Sequence, residues 1–171
     1  MATTYTLIDK VNLGSAQTKI EFASIPSTYT DLLIMYSPRS TASATQDNSV
    51  IYFNGITTGY TDLTLIGNGS TAYSFSQSTS PFLWLYMPAA SATANTFGNT
   101  MIYIPNYTSS NPKSVSFDYV MENNGSTAWS GLTAGIWSYS GNPAINKITL
   151  QATSGNLDTY SSAYLYGIKN S

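Results

Sequence analysis

Apolar and polar residues alternate with a period of two along almost the whole chain. In Lys113–Glu122, KSVSFDYVME, the side chains of Val115, Phe117, Tyr119 and Met121 fall on one side, and Ser114, Ser116, Asp118 and Glu122 on the other. A period of two is the mark of a half-buried strand. Ile148, Leu150 and Ala152 alternate in the same way with Lys147, Thr149 and Gln151, as do Ile20 and Phe22 with Lys19 and Glu21. Further strands are predicted over Tyr5–Asp9, Asp31–Ser37, Val50–Asn54, Thr61–Ile66, Phe82–Met87, Thr100–Ile104, Ala128–Tyr139 (with a bend at Gly131 or Gly135) and Ala163–Lys169. Turn-forming pairs and triplets separate them, among them Asn54-Gly55, Asn111-Pro112 and Ser154-Gly155-Asn156. No window keeps apolar residues at helical spacing for three turns. The spacing predicts one all-β domain over residues 1–171, an antiparallel β-sandwich of jelly-roll type with about eight to ten strands.

Two of these segments do not alternate. Leu32-Leu33-Ile34-Met35-Tyr36 and Phe82-Leu83-Trp84-Leu85-Tyr86-Met87 are apolar on both faces. Such a strand is either central and covered by a loop, or part of a sheet whose outer face packs on a sister subunit. The second choice makes the chain a homo-oligomer, with a trimer favoured.

The phrase NGSTAY, Asn68–Tyr73, returns as NGSTAW, Asn124–Trp129. The flanking sequences disagree, which argues against duplication. The N-x-S/T triplets headed by Asn68, Asn106 and Asn124 are no more than chance gives in a chain with 14 asparagines and so many hydroxyl residues. The remaining reading is a hairpin used twice, with Asn-Gly as a two-residue type I′ turn.

Composition sharpens the picture. Charged residues make up 8% of the 171, the net charge is −2, and 42% are hydrophobic. Serine and threonine number 48, and there are 14 tyrosines. That combination describes a packed domain with a neutral, hydroxylated surface, not a disordered chain. The six basic residues are scattered singly, without the basic patch that nucleic-acid binding requires. The start, MATTYTLIDKV, has neither the basic opening nor the apolar run of a signal peptide, and no segment is long and apolar enough to insert in a membrane as a helix.

The chain has no histidine and no cysteine. Ser-His arrangements, thiol nucleophiles and His/Cys zinc sites are therefore closed to it. Asp118 and Glu122 share a strand face but stand ~13 Å apart, too far to act as a pair. Asp47, Asp62 and Asp158 read as turn-makers, and the loop Gly155-Asn156-Leu157-Asp158 was weighed as a calcium site. No catalytic residue, metal site or cofactor is expected, and the chain is read as a non-enzyme. Trp84, Trp129 and Trp137 are the candidates for an interface or for stacking on a sugar, with core packing the competing role for each.

Several phrases carry a family resemblance: MATTYTLIDKVNLGSAQ and FASIPSTYTDLLI near the start, ANTFGNTMIYIPNYTSSNPKS in the middle, SSAYLYGIKNS at the end. Together they resemble a set of small all-β virion proteins of tailed phages of the marine type. The resemblance spans most of the chain and transfers no active site. It implies a virion structural accessory protein on the particle surface, most simply a capsid decoration (cement) protein bound to the major capsid protein or another virion protein. The alternative is a receptor-binding or carbohydrate-binding module of a tail or head fibre, whose partner would be a cell-surface glycan.

Overall fold

In the computed structural model the described residues are 5–80, 82–122, 124 and 128–169, with 79 and 80 as backbone alone. Twelve strands run in chain order: β1 Tyr5–Asn12, β2 Lys19–Phe22, β3 Asp31–Ser37, β4 Gln46–Phe53, β5 Tyr60–Gly67, β6 Ala72–Ser80, β7 Leu83–Pro88, β8 Asn99–Ile104, β9 Lys113–Met121, β10 Trp129–Trp137, β11 Ile148–Ala152 and β12 Ser162–Ile168. No helix occurs among the described residues.

The strands form two sheets, ordered β1-β12-β3-β8-β9-β10-β5-β6 and β2-β11-β4-β7, with every neighbouring pair antiparallel. If β5, β6, β9 and β10 are set aside, two four-stranded sheets remain, and the chain passes from one to the other at each of its first four strands. That is the double Greek key of a jelly roll. The other four strands are two insertions, β5-β6 between β4 and β7 and β9-β10 between β8 and β11, laid side by side to widen one sheet to eight strands.

Twelve strands stand where eight to ten were expected. The one with no counterpart in the sequence reading is β6, whose AYSFSQSTS is too polar to announce itself. The segment Ala128–Tyr139 does not bend: β10 pairs with both neighbours in unbroken register.

The core lies between the sheets. Ile20, Phe22, Ile51, Phe53, Leu83, Leu85, Ile148 and Leu150 of the small sheet meet Leu32, Ile34, Tyr36, Ile102, Ile104, Phe117 and Leu165 of the large one. Each fully buried side chain of this size contributes ~1.5–3 kcal/mol. Two buried cations are held by backbone dipoles. Arg39 donates from Nη1 to the carbonyls of Thr93 (2.9 Å) and Thr96 (2.8 Å) and from Nη2 to that of Ala92 (3.2 Å), fixing the β7–β8 connection. The Lys113 ammonium donates to the carbonyls of Ser109 (2.7 Å), Asn111 (2.6 Å) and Asn142 (3.1 Å), and burial pushes its pKa down.

The hairpins differ from the single device expected. Asn54-Gly55 has both residues at positive φ (55° and 73°) and the Ile56 N–H donating to the Phe53 carbonyl (2.8 Å), the pattern of type I′. At Asn68-Gly69 only the glycine has positive φ. The Asn68 N–H donates to the Thr71 carbonyl across Gly69-Ser70, while Asn68 Oδ1 accepts from the N–H groups of Ser70 and Thr71. The turn centre is thus one residue later, in the pattern of type II′ with its glycine first. The second copy joins β9 to β10 through a longer connection, Glu122–Ala128. Within it Asn124 sits at φ 62°, and residues 123 and 125–127 lie outside the described ones.

Candidate docking face

The insertions carry the unusual surface. β9 behaves as its sequence suggests, with Val115, Phe117, Tyr119 and Met121 buried and the residues between them exposed. β5 and β10 are turned the other way. In β5 the buried side holds Tyr60, Asp62, Thr64 and Ile66, while Leu63 (51%) and Leu65 (53%) face solvent. In β10 the buried side holds Gly131, Thr133, Gly135 and Trp137, while Leu132 (61%), Ala134 and Ile136 face out.

Local packing accounts for this orientation. Tyr60 and Trp137 pair across the strands and both enter the core against Phe53, with ring centroids 5.9 and 5.5 Å from it. Once these large rings are inward, a period of two forces residues 62, 64 and 66 and residues 135, 133 and 131 inward as well. The two glycines then make room: a Cβ on Gly131 would lie 2.2 Å from the Tyr119 ring, and one on Gly135 2.6 Å from a Leu83 methyl. The inward polar groups are partly reconciled. The hydroxyls of Thr64 and Thr133 bond each other at 2.9 Å. Asp62, only 6% exposed, has no partner for either carboxylate oxygen, and burial raises its pKa.

The register aligns outward side chains into rows across the sheet. One row runs Lys10, Tyr164, Met35, Met101, Asp118, Leu132, Leu65, Ser74. The next runs Leu7, Tyr166, Leu33, Tyr103, Ser116, Ala134, Leu63, Ser76. In these rows the original jelly-roll strands contribute chiefly tyrosine, methionine and leucine, the inserted β5 and β10 aliphatic residues, and the inserted β6 and β9 serines and Asp118. Three adjoining depressions of about 710, 610 and 330 Å³ lie along this face, and the smallest is lined by Leu63, Leu65, Met101, Tyr103 and Leu132 among others. Within these two rows Lys10 and Asp118 are the ionisable side chains other than tyrosine.

The three tryptophans do not gather. Trp137 is a core residue at 1% exposure, stacked between Tyr60 (6.1 Å) and Tyr139 (6.3 Å), so packing replaces the open-surface role considered for it. Trp84 is half-buried against Phe82 (5.4 Å), and Trp129 is half-buried edge-on to Tyr86 (5.7 Å). The cavity bounded by Asn48, Phe75, Trp84, Leu85, Tyr86 and Tyr119 holds about 10 Å³. That is room for about one water and far less than a sugar ring needs. Of the two strands apolar on both faces, β3 is central in the large sheet with Met35 exposed, and β7 is an edge strand whose Tyr86 turns onto Tyr119.

The acidic residues are dispersed. Asp47 is not a turn residue but a buried member of β4, accepting from Ser40 Oγ (2.6 Å), Thr153 Oγ1 (2.8 Å) and the N–H of Asn48 (2.7 Å). Asp62 likewise belongs to a strand. Asp158 accepts from the Thr159 N–H and lies 3.8 Å from Arg39 Nε, which leaves the Gly155–Asp158 loop without a converging set of carboxylates. Among the described residues no three acidic groups come together as metal ligands.

Sequence reasoning missed the aliphatic face because alternation alone does not say which side of a strand points inward. The signal was there: YTDLTLIG alternates leucine with Asp62 and Thr64, and WSGLTAGIW sets glycines opposite its aliphatic residues.

No family model and no curated protein matches this chain. A crystal structure of the infectious bursal disease virus VP2 subviral particle aligns at 12% identity with a TM-score of 0.13, over 96% of this chain and 41% of that one, and carries no argument at that score.

Proposed function

We propose that this chain is a structural protein of a virus particle, a phage virion accessory protein of the capsid-decoration type, displayed on the particle and held there by the outer face of its eight-stranded sheet. The observation that carries this reading is the inverted orientation of β5 and β10, which spends stability on burying Asp62 and threonines while presenting Leu63, Leu65, Leu132 and Ile136 to solvent. Eight strands ~4.8 Å apart and about six residues long make a face of roughly 700–800 Å². One partner in a standard-size interface contributes about 800 Å². A face of that size, with Leu63, Leu65, Leu132 and Ile136 exposed near its middle on a chain with so few charges, fits a permanent protein neighbour. The mechanism is surface burial, repeated over many copies on a symmetric shell so that weak contacts add.

The rival reading, a glycan-binding module of a tail or head fibre, would rest on Trp84 and Trp129. Their rings turn onto Phe82 and Tyr86, and the cavity beside Trp84 holds about 10 Å³, too little for a sugar ring. Gold-labelled antibody against the chain, applied to intact virions, tests the proposal: label spread over the head is expected. Label on fibre tips alone moves the assignment to the rival, and no label on any part of the particle overturns both.

A further inference from the structure

Four strands end the two sheets: β1 and β6 in the large one, β2 and β7 in the small one. A free strand edge offers a row of unpaired N–H and C=O groups, and proteins normally blunt it with charge, bulges, proline or shortness. Three of these edges are blunted. β1 breaks register between Leu7 and Asp9 and carries Asp9 and Lys10. β2 has four residues and bears the Lys19–Glu21 ion pair at 2.8 Å. β7 has six residues, ends in Pro88, and packs against β9 and β5. β6 has nine residues, no charge and no proline, and it pairs with β5 in unbroken register from Ala72 to Gln77, its register break falling only at the far end, between Gln77 and Ser80. It has no neighbour on its other side among the described residues.

We propose that β6 pairs antiparallel with β6 of a second copy of this chain across a two-fold axis, fusing two eight-stranded sheets into one. A two-fold axis perpendicular to the sheet preserves its faces, so an inward residue can only oppose an inward one. Register with β5 puts Tyr73 opposite buried Ile66 and Phe75 opposite buried Thr64, hence inward, and Ser74 and Ser76 outward. With Ser74 on the axis, Tyr73 opposes the partner's Phe75 twice over on the inner face, and Ser74 opposes its own copy on the outer face. Aromatic pairs directly across strands are among the favourable ones, and an uncharged strand meets its copy without repulsion. A different partner would need an equally bare edge; a second copy has one by construction. The pairing also joins the outer faces of two copies into one surface, with the serines of the two β6 strands between their leucines, although it does not depend on what those faces bind.

The lack of cysteine makes the test clean, because one introduced thiol has no competitor. Sedimentation of the full chain should give twice the monomer mass at micromolar concentration. Side chains facing each other across an antiparallel pair have Cβ atoms ~4.5–5.5 Å apart, close to disulfide reach. Under mild oxidation, Ser74→Cys should therefore yield a covalent dimer, while Ser76→Cys, which lies opposite position 72 of the second copy in this register, and Ser114→Cys on the exposed side of β9 should not. Ser74→Lys with Ser76→Lys should sediment as a monomer with an unchanged far-ultraviolet spectrum. A wild-type chain that stays monomeric up to millimolar concentration overturns the proposal. So does a dimer that forms no cross-link through Ser74→Cys and survives the lysine pair.

Discussion

β9 and β10 are adjacent, equally long, paired without a register break, and both alternate strictly, yet on the same solvent face one exposes polar residues and the other apolar ones. β9 buries its apolar side; β10 buries glycine and threonine and exposes Leu132 and Ile136. The difference does not lie in periodicity. It lies in what each strand's end must do: Lys113 and Val115 lead β9 inward in phase with Phe117, whereas Trp137 leads β10 inward in phase with Gly135 and Thr133. A single large anchor fixes the parity of a whole strand, and a two-residue period then transmits it. The same rule governs β5 through Tyr60. The jelly-roll body is built in the ordinary sense, hydrophobic in and polar out, and of the inserted strands β5 and β10 are turned to serve their outer face.

Removing the anchor attacks that contrast most directly. Trp137→Ala takes out a ring 1% exposed, together with its packing against Phe53, Tyr60 and Tyr139. Core Trp→Ala changes cost ~3–5 kcal/mol. For a domain of this size thermal unfolding should fall by roughly 10 °C. Trp129→Ala should lose far less, because its ring is only half-buried and edge-on to one neighbour. Equal losses in the two variants, read by calorimetry, would remove Trp137 from its anchoring role.

The inward polar pair tests the same idea at a smaller scale. Thr64→Val or Thr133→Val alone leaves the other hydroxyl buried and unbonded, a loss of ~1–3 kcal/mol. Making both changes removes donor and acceptor together in side chains of matching shape, so the double variant should be more stable than either single one. Additive losses in denaturant unfolding would mean the hydroxyls do not act as a pair.

Asp62 predicts a pH signature. Burial raises its folded pKa above the ordinary 3.8, so the folded state holds the proton more tightly than the unfolded chain. The stability linked to that proton is fully present below the ordinary value and is lost as pH rises through the raised one. Asp62→Asn never ionises and escapes the loss. The variant should match wild type in acid and gain on it as pH rises through the raised pKa. A gain independent of pH would point to a cause other than the charge.

The fold was legible in the sequence because burial is periodic: Val115 to Met121, Ile148 to Ala152 and Ile20 to Phe22 all point where their pattern placed them. The sandwich and its jelly-roll character followed from the number and spacing of such runs. Parity was not legible, since YTDLTLIG reads equally well with either face inward until Tyr60 is seen to meet Phe53 and Trp137. Nor was β6, where serines alternate with Tyr73 and Phe75 and the strand exists mainly because β5 offers it an edge. Arg39 and Lys113 were invisible for another reason: their partners are carbonyls, and every residue has one.

The smallest expected change in stability is the most informative about role. Leu65→Ser and Leu132→Ser alter side chains that are 53% and 61% exposed, neighbours on one row of the outer face. Substitutions at such positions shift folding stability by no more than ~0.5 kcal/mol. If the outer face were simply a poorly covered part of the core, the double variant would lose stability and nothing else would change. If the leucines are kept outward to hold a neighbour, the variant should unfold at the wild-type temperature and yet detach from particles at salt and dilution that wild type withstands. Co-sedimentation with virions, read beside a melting curve on the same sample, separates these outcomes. Undiminished attachment would leave the inverted strands without the use argued for them, however well their packing explains their direction.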